Sequence, residues 1–141
     1  TSSDRERAIA DALRGHGASE VLLPDPDTEL PGLDSNRRFV HPTGILEADV
    51  IFVPLEDGDR CEALRRLGRQ VITIDLNPLS RTARTASVSI VDNVVRAMPA
   101  LLARVEEMPK DAHLDRQALI DAYDHSACLA EAEAIIRSGA A

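Results

Sequence analysis

A chain of 141 residues with 44% hydrophobic side chains is long enough to bury a core within one domain. Its formal charge of −8, from 24 acidic against 16 basic residues, argues against a nucleic-acid binder, which usually presents a net basic face. No apolar run approaches the roughly 20 residues needed to span a bilayer, and the polar, charged N-terminus shows no signal peptide.

In chain order, Ser3 followed by Glu6 predicts a capping box and the first helix. Ile9, Ala12 and Leu13 fall on one inward face, and Gly15-His16-Gly17 stops the run. Val21-Leu22-Leu23 predicts a short strand ended by Pro24. From Pro24 to Thr43 the chain carries Pro26, Pro31, Gly32 and Pro42 among Asp and Asn, which predicts a loop. Loops of that length are often functional or cover a neighbouring element.

The pattern then becomes regular. Val50-Ile51-Phe52-Val53 is a continuous apolar run, as expected of a strand covered on both faces. Arg60 to Leu67 predicts a short helix with Cys61, Leu64 and Leu67 inward and Gly68 as its stop. Val71-Ile72-Thr73-Ile74 and Val88-Ser89-Ile90-Val91 predict further buried strands. Asp92 could cap a helix reaching Glu107, with Val94, Val95, Met98, Leu101, Leu102 and Val105 along its inner side. Pro99 should kink that helix or mark its first turn. Two further helices are predicted over 115–123 and 126–137. Strands alternating with helices indicate βαβ units and a parallel sheet. The expected fold is a single α/β domain over 1–141: an open, Rossmann-like layer flanked by helices, with a helical C-terminal extension.

In open parallel sheets, ligands bind beyond the carboxyl ends of the strands. That rule selects 54–60, 75–82 and 92–93. Asp75 follows a strand directly, where its carboxylate could accept from ribose hydroxyls. Asn77 can donate and accept at once, which suits a purine edge or a sugar. Ser80, Arg81 and Thr82 offer hydroxyls and a guanidinium fork for phosphate. The plainer reading is a strand-to-helix turn in which Asp75 and Asn77 cap amides and Arg81 pairs with a surface carboxylate. The segment Glu56-Asp57-Gly58-Asp59-Arg60 could hold a divalent cation or a small amine. It could equally be a helix N-terminus with acidic residues opposing the dipole and Gly58 allowing a tight turn.

Neither a GxxxxGK[ST] nor a GxGxxG loop is present, which disfavours a P-loop kinase or a nicotinamide dehydrogenase. His16, His41, His113 and His125 show no metal-ligand spacing and read as surface or cap residues. Cys61 and Cys128 are far apart and support neither a disulfide framework nor a zinc site; they read as partly buried thiols in a reducing cytoplasm. Lys110 is the only lysine. High acidity with scarce lysine suits a protein working in high salt, although a GC-rich genome also favours arginine.

Three segments carry a family resemblance: Val53-Pro54-Leu55-Glu56-Asp57-Gly58-Asp59-Arg60, Ile74-Asp75-Leu76-Asn77-Pro78-Leu79-Ser80-Arg81-Thr82-Ala83 and Ile90-Val91-Asp92-Asn93-Val94-Val95-Arg96-Ala97. In their order and spacing they resemble the archaeal phosphopantothenate synthetases, or 4-phosphopantoate–β-alanine ligases. Gly15-His16-Gly17-Ala18 and Pro31-Gly32-Leu33 also look similar, so the resemblance covers nearly the whole chain.

The resemblance implies an ATP-dependent ligase, with Mg²⁺, that joins 4-phosphopantoate to β-alanine on the archaeal route to coenzyme A. The phosphopantoate carboxylate attacks ATP to give an acyl adenylate and diphosphate, and the amine of β-alanine then displaces AMP. It places the nucleotide contacts on Asp75, Leu76, Asn77, Arg81, Thr82, Asn93 and Val94. Asp75 and Asn77 would read the adenosine, Arg81 and Thr82 would lie nearer the phosphates, and Asn93 would add a polar contact at a helix N-terminus. No catalytic residue and no metal ligand is identified. The resemblance further implies a cytoplasmic homodimer with small-molecule substrates, touching neither nucleic acid nor membrane.

Family members are nearly twice this length, and the sequence matches their C-terminal part. Thr1 is not a methionine, so a processed form or a piece of a longer protein is expected. Without the N-terminal half, nucleotide binding should be weak and ligation slight or absent. A non-catalytic nucleotide- or phosphosugar-binding module is the alternative, and an interaction module dimerising through its last two helices is compatible with either.

Overall fold

The computed structural model describes residues 2–55, 57–108 and 115–139. Its contacts divide the chain into two compact units, Thr1–Asp49 and Val50–Ala141.

The first unit opens with α1, Ser2–Gly15, ending where the glycines predicted. Ala10 is its buried residue, whereas Ile9 and Leu13 are half exposed and Ala12 is exposed. The face expected inward is therefore largely outside within this unit. No strand forms at Val21–Leu23. The predicted loop instead contains strand β1, Asp25–Glu29, paired antiparallel with β2, Phe39–Val40, through a 3-10 turn at Asn36–Arg38. The register slips between Asp25 and Glu29. Pro26 lies in that interval and has no N–H for the ladder, which confines such a strand to an edge or a bulge. The ribbon closes where the Leu30 amide donates to the Arg38 carbonyl at 2.7 Å, and the Arg38 guanidinium meets Glu29 at 2.9 Å. Leu30, Val40 and Ala10 are the buried apolar residues of this unit.

The second unit is the α/β layer. Strands β3 (Val50–Val53), β4 (Gln70–Ile74) and β5 (Val88–Ile90) form a three-stranded parallel sheet in that order. Helix α2 (Gly58–Arg66) joins β3 to β4, and the short α3 (Arg81–Thr85) joins β4 to β5. Helices α4 (Val94–Glu107), α5 (Arg116–Asp121) and α6 (His125–Ser138) follow. This is the mixed α/β architecture with helical C-terminal elements that the strand–helix alternation predicts.

Cys61, Ala63 and Leu64 of α2 pack with Val71, Ile74 and Ala83 in the core. Thr73 is fully buried among them. Its hydroxyl donates to the Val53 carbonyl at 3.0 Å, bonding β4 to β3 by a side chain as well as by the ladder. Helix α2 stops at Gly68, whose φ of +77° is in the left-handed region. There the Arg69 amide reaches the Leu64 carbonyl and the Gly68 amide the Arg65 carbonyl, a Schellman closure that glycine permits.

Burial departs from expectation in three places. Strand β3 is not covered on both faces: Ile51 is buried, but Val50 is 56% and Phe52 38% exposed. Leu67, expected inward, ends α2 and is 42% exposed. Along α4 only Ala97 is buried, while Val95, Met98, Leu102 and Val105 lie in solvent. Periodicity reports an apolar stripe without saying what covers it. The cap of α4 is Asn93 rather than Asp92, its side-chain oxygen accepting from the Val95 amide at 2.9 Å. Pro99 is the sixth helical residue and so lies beyond the first turn, where the Val95 carbonyl finds no N–H four residues on.

Candidate functional site

The carboxyl ends of the parallel strands line an open cavity of about 190 Å³. Pro54 and Leu55 follow β3, Asp75 and Leu76 follow β4, and Asp92, Asn93 and Val94 lead from β5 into α4. This is the crevice selected by the parallel-sheet rule.

The floor is organised by Asp75, which is 8% exposed. Its amide donates to the Ile90 carbonyl at 3.0 Å, carrying the β4–β5 pairing one residue beyond the strands. One carboxylate oxygen accepts the Asn77 amide at 2.9 Å, and the other accepts the Ser80 hydroxyl. The Asn77 side-chain oxygen accepts the Leu79 amide at 3.0 Å. Ser80 then caps α3, its oxygen accepting the Ala83 amide at 2.9 Å. Three polar side chains thus tie the turn to its own backbone, as the plainer reading of this segment expects. The carboxylate also lines the cavity.

Arg81, the first residue of α3, extends over the start of α2. A Cβ at Gly58 would lie 2.8 Å from the Arg81 Nε. The guanidinium ends on the carboxylate of Asp59, an exposed ion pair. At the opposite wall, Asp92 accepts the Asn93 amide at 2.6 Å and the Arg96 Nε at 2.9 Å. These bonds, that from Arg96 first, hold the Asp92 carboxyl below its ordinary pKa.

Residues 1–139 match the phosphopantothenate/pantothenate synthetase family. The chain belongs to that family. It is 49% identical over 128 residues to the 4-phosphopantoate–β-alanine ligase of Methanosarcina mazei, covering 91% of this chain and 50% of that protein. The ligase of the same name from Thermococcus onnurineus is 47% identical over 129 residues, 91% of this chain and 49% of the relative. That from Thermococcus kodakarensis is 44% identical over 131 residues, 92% and 50%. The chain spans about half the length of the curated relatives it matches.

Of the residues singled out in the sequence of this synthetase-family chain, Asp75, Leu76, Asn93 and Val94 line one cavity. Asn77 and Arg81 are exposed on the turn beside it. Thr82 is fully buried, so its side chain presents no surface to solvent. Asp92, Pro54 and Leu55 are cavity residues that the sequence reading did not name as contacts. Their signal was available, since each lies at a strand end already selected by the sheet rule. Gly58 is helical and does not serve a tight turn; its missing side chain makes room for Arg81. Asp57 caps α2 through the Arg60 amide at 3.3 Å and pairs with the Arg60 side chain at 3.7 Å. That fits the helix-start reading of the segment; Glu56 lies outside the described residues. Among the described residues no group of three or more His, Cys, Asp or Glu is placed to hold a metal ion, and no helix is long and apolar enough to cross a membrane.

Proposed function

We propose that this chain carries the nucleotide-binding part of an ATP-dependent ligase that joins 4-phosphopantoate to β-alanine on the archaeal route to coenzyme A. Similarity to relatives that bear the ligase name suggests the reaction. The observation that carries the assignment of this part is the cavity shared by Asp75, Leu76, Asn93 and Val94. On this reading the chain corresponds to the C-terminal half of such a ligase.

The turn is arranged so that a nucleotide can add to it without dismantling it. Each carboxylate oxygen of Asp75 has a second acceptor site, open to a ribose hydroxyl while the turn bonds persist. The oxygen of Asn77 is engaged, which leaves its NH₂ to donate to adenosine. Leu76 and Val94 offer apolar contact to the purine, and the Asn93 NH₂ adds a donor at the start of α4. Arg81 has five N–H donors, and its exposed pair with Asp59 is worth only about 0–1 kcal/mol. Phosphate oxygens can therefore share or take the guanidinium. Thr82, packed beneath, supports the first turn of α3.

In the reaction, a carboxylate oxygen of phosphopantoate attacks the α-phosphorus of ATP and diphosphate leaves. The amine of β-alanine then attacks the acyl carbon, AMP leaves, and the amine loses a proton as the amide forms. Mg²⁺ usually keeps several waters and is held largely by substrate phosphates. The carboxylates that line the cavity are engaged, Asp75 by the Asn77 amide and the Ser80 hydroxyl and Asp92 by Arg96, so the ion would arrive on ATP and neutralise its phosphates. A homodimer in the cytoplasm completes the reading, with sedimentation velocity as the check on self-association.

The test is AMP release with ATP, 4-phosphopantoate and β-alanine. It is measured on the chain alone and on a chimera in which the chain replaces the matching half of the Methanosarcina mazei relative. Release by the chimera that needs all three substrates, and that Arg81→Ala abolishes, is expected. Unchanged turnover in Arg81→Ala overturns the phosphate role. Nucleotide binding by a folded chimera without AMP release favours a non-catalytic nucleotide- or phosphosugar-binding module instead.

A further inference from the structure

Helix α3 has five residues, and an isolated helix that short does not hold itself together in water. Its position must come from what grips it from outside. Three side chains outside α3 bond to one residue of it, Ala83, which is fully buried. On one side the Ala83 amide donates to Ser80 at 2.9 Å, and Ser80 donates to Asp75. On the other side the Ala83 carbonyl accepts twice, from the Ser89 hydroxyl at 2.8 Å and from His125 Nε2 at 2.9 Å.

The second of those bonds fixes one proton of the histidine. A carbonyl only accepts, so Nε2 carries the proton, and in the neutral ring Nδ1 is then an acceptor. The Tyr123 hydroxyl lies 3.1 Å from Nδ1, and with the ring neutral it donates there. The Tyr123 oxygen in turn accepts the Ser89 amide at 3.3 Å. Ser89, Tyr123, His125 and Ala83 therefore form a closed ring of hydrogen bonds. Ser89 is buried, and Tyr123 and His125 are half-buried. The ring joins the start of α6 to a helix 42 residues earlier in the sequence.

We propose that His125, oriented by Tyr123, is a positioning residue: it fixes α3 from behind so that Arg81 is held for the nucleotide phosphates. This rests on the reading of Arg81 given above. His125 touches no substrate on this account and acts only through the Ala83 carbonyl. Asp75 and Asn77 also hold the Asn77 and Leu79 amides, bonds that do not pass through Ala83, so a fault in the ring should be felt at the phosphate end of the nucleotide before the adenosine end.

The experiment compares His125→Phe, which removes the donor, with His125→Gln, whose amide nitrogen can take the place of Nε2. Amide hydrogen exchange of Arg84 and Ala86, both bonded within α3, is read on the nucleotide-free chain. Affinities for ATP and for adenosine are read by NMR titration. In His125→Phe, exchange at both amides should accelerate and ATP affinity should fall by about fivefold, the effect of one lost net hydrogen bond, with adenosine affinity unchanged. His125→Gln should restore both readings toward the parent values. Unchanged exchange in His125→Phe overturns the anchoring of α3. Faster exchange with unchanged ATP affinity overturns the phosphate role of Arg81, and with it the positioning role, while leaving the anchor. Equal losses for ATP and adenosine overturn the proposal in favour of a general weakening of the unit.

Discussion

Arg81 crosses Gly58 so closely that the first carbon of any side chain at 58 would stand 2.8 Å from its Nε. The glycine is helical and buried, and what it supplies is clearance. Gly58→Ala should therefore leave the backbone intact and displace the guanidinium, the far part of a flexible side chain. Folding stability should change by less than about 1 kcal/mol, because alanine also favours the helix. ATP affinity should fall while adenosine affinity holds. Urea denaturation and parallel titrations with the two ligands check this; equal ATP affinity in the variant would mean Arg81 does not meet phosphate from this position.

Asp75 is an acceptor on both sides, toward an amide and toward a hydroxyl. Asp75→Asn turns one acceptor into an NH₂ that faces another donor. The expected cost is about 1–3 kcal/mol, the range for a buried polar group left without a partner, read as a lower urea midpoint at unchanged slope. Ser80→Ala should cost about 1 kcal/mol through loss of the α3 cap.

Burial raises the Cys61 thiol from 9.0 to about 11, with Arg65 opposing. A group whose folded pKa lies above its unfolded value contributes stability fully present below the unfolded pKa. That contribution is lost as pH rises from 9 through 11. Cys61→Ala should show a shallower alkaline loss of stability than the parent, and a thiol reagent at pH 8 should modify Cys128, which is half-buried, before Cys61. The Asp92 carboxyl has the opposite sign: Arg96 lowers its pKa from 3.8, so its contribution is present above that value and lost as pH falls below it. Arg96→Gln should raise the Asp92 pKa in an NMR titration.

Pro99 lies inside α4 and leaves the Val95 carbonyl without its usual partner. Pro99→Ala supplies the N–H. A gain of about 1–3 kcal/mol is expected from helix propensity, visible as a higher thermal midpoint. A loss would show that the proline ring makes contacts of its own.

The sheet was legible because Val50–Val53, Val71–Ile74 and Val88–Ile90 are runs of β-formers bounded by turn residues, and local composition determines such strands. The turn after β4 was legible for the same reason, since Asp75, Asn77 and Ser80 are residues that bond their own backbone in turns. The β1–β2 ribbon was not: Asp25, Pro26 and Asp27 read as loop, and the ribbon is held by the Arg38–Glu29 pair and the Leu30 amide rather than by an apolar run. The stripe on α4 was legible as a stripe, but its exposure depends on tertiary neighbours. Gly58 against Arg81, and His125 against Ala83, join residues remote in sequence, and neither pair has a local pattern.

The bonds that close Asp75, Asn77 and Ser80 upon one another are all supplied by the chain itself. Ordering this turn is thus a cost of folding and not of ligand capture. An adenosine arriving there meets a finished surface, so association should carry little entropic penalty from this segment. It should proceed without a slow rearrangement of the turn. The capacity to recognise adenosine would then survive in the chain even when it is separated from whatever completes the reaction.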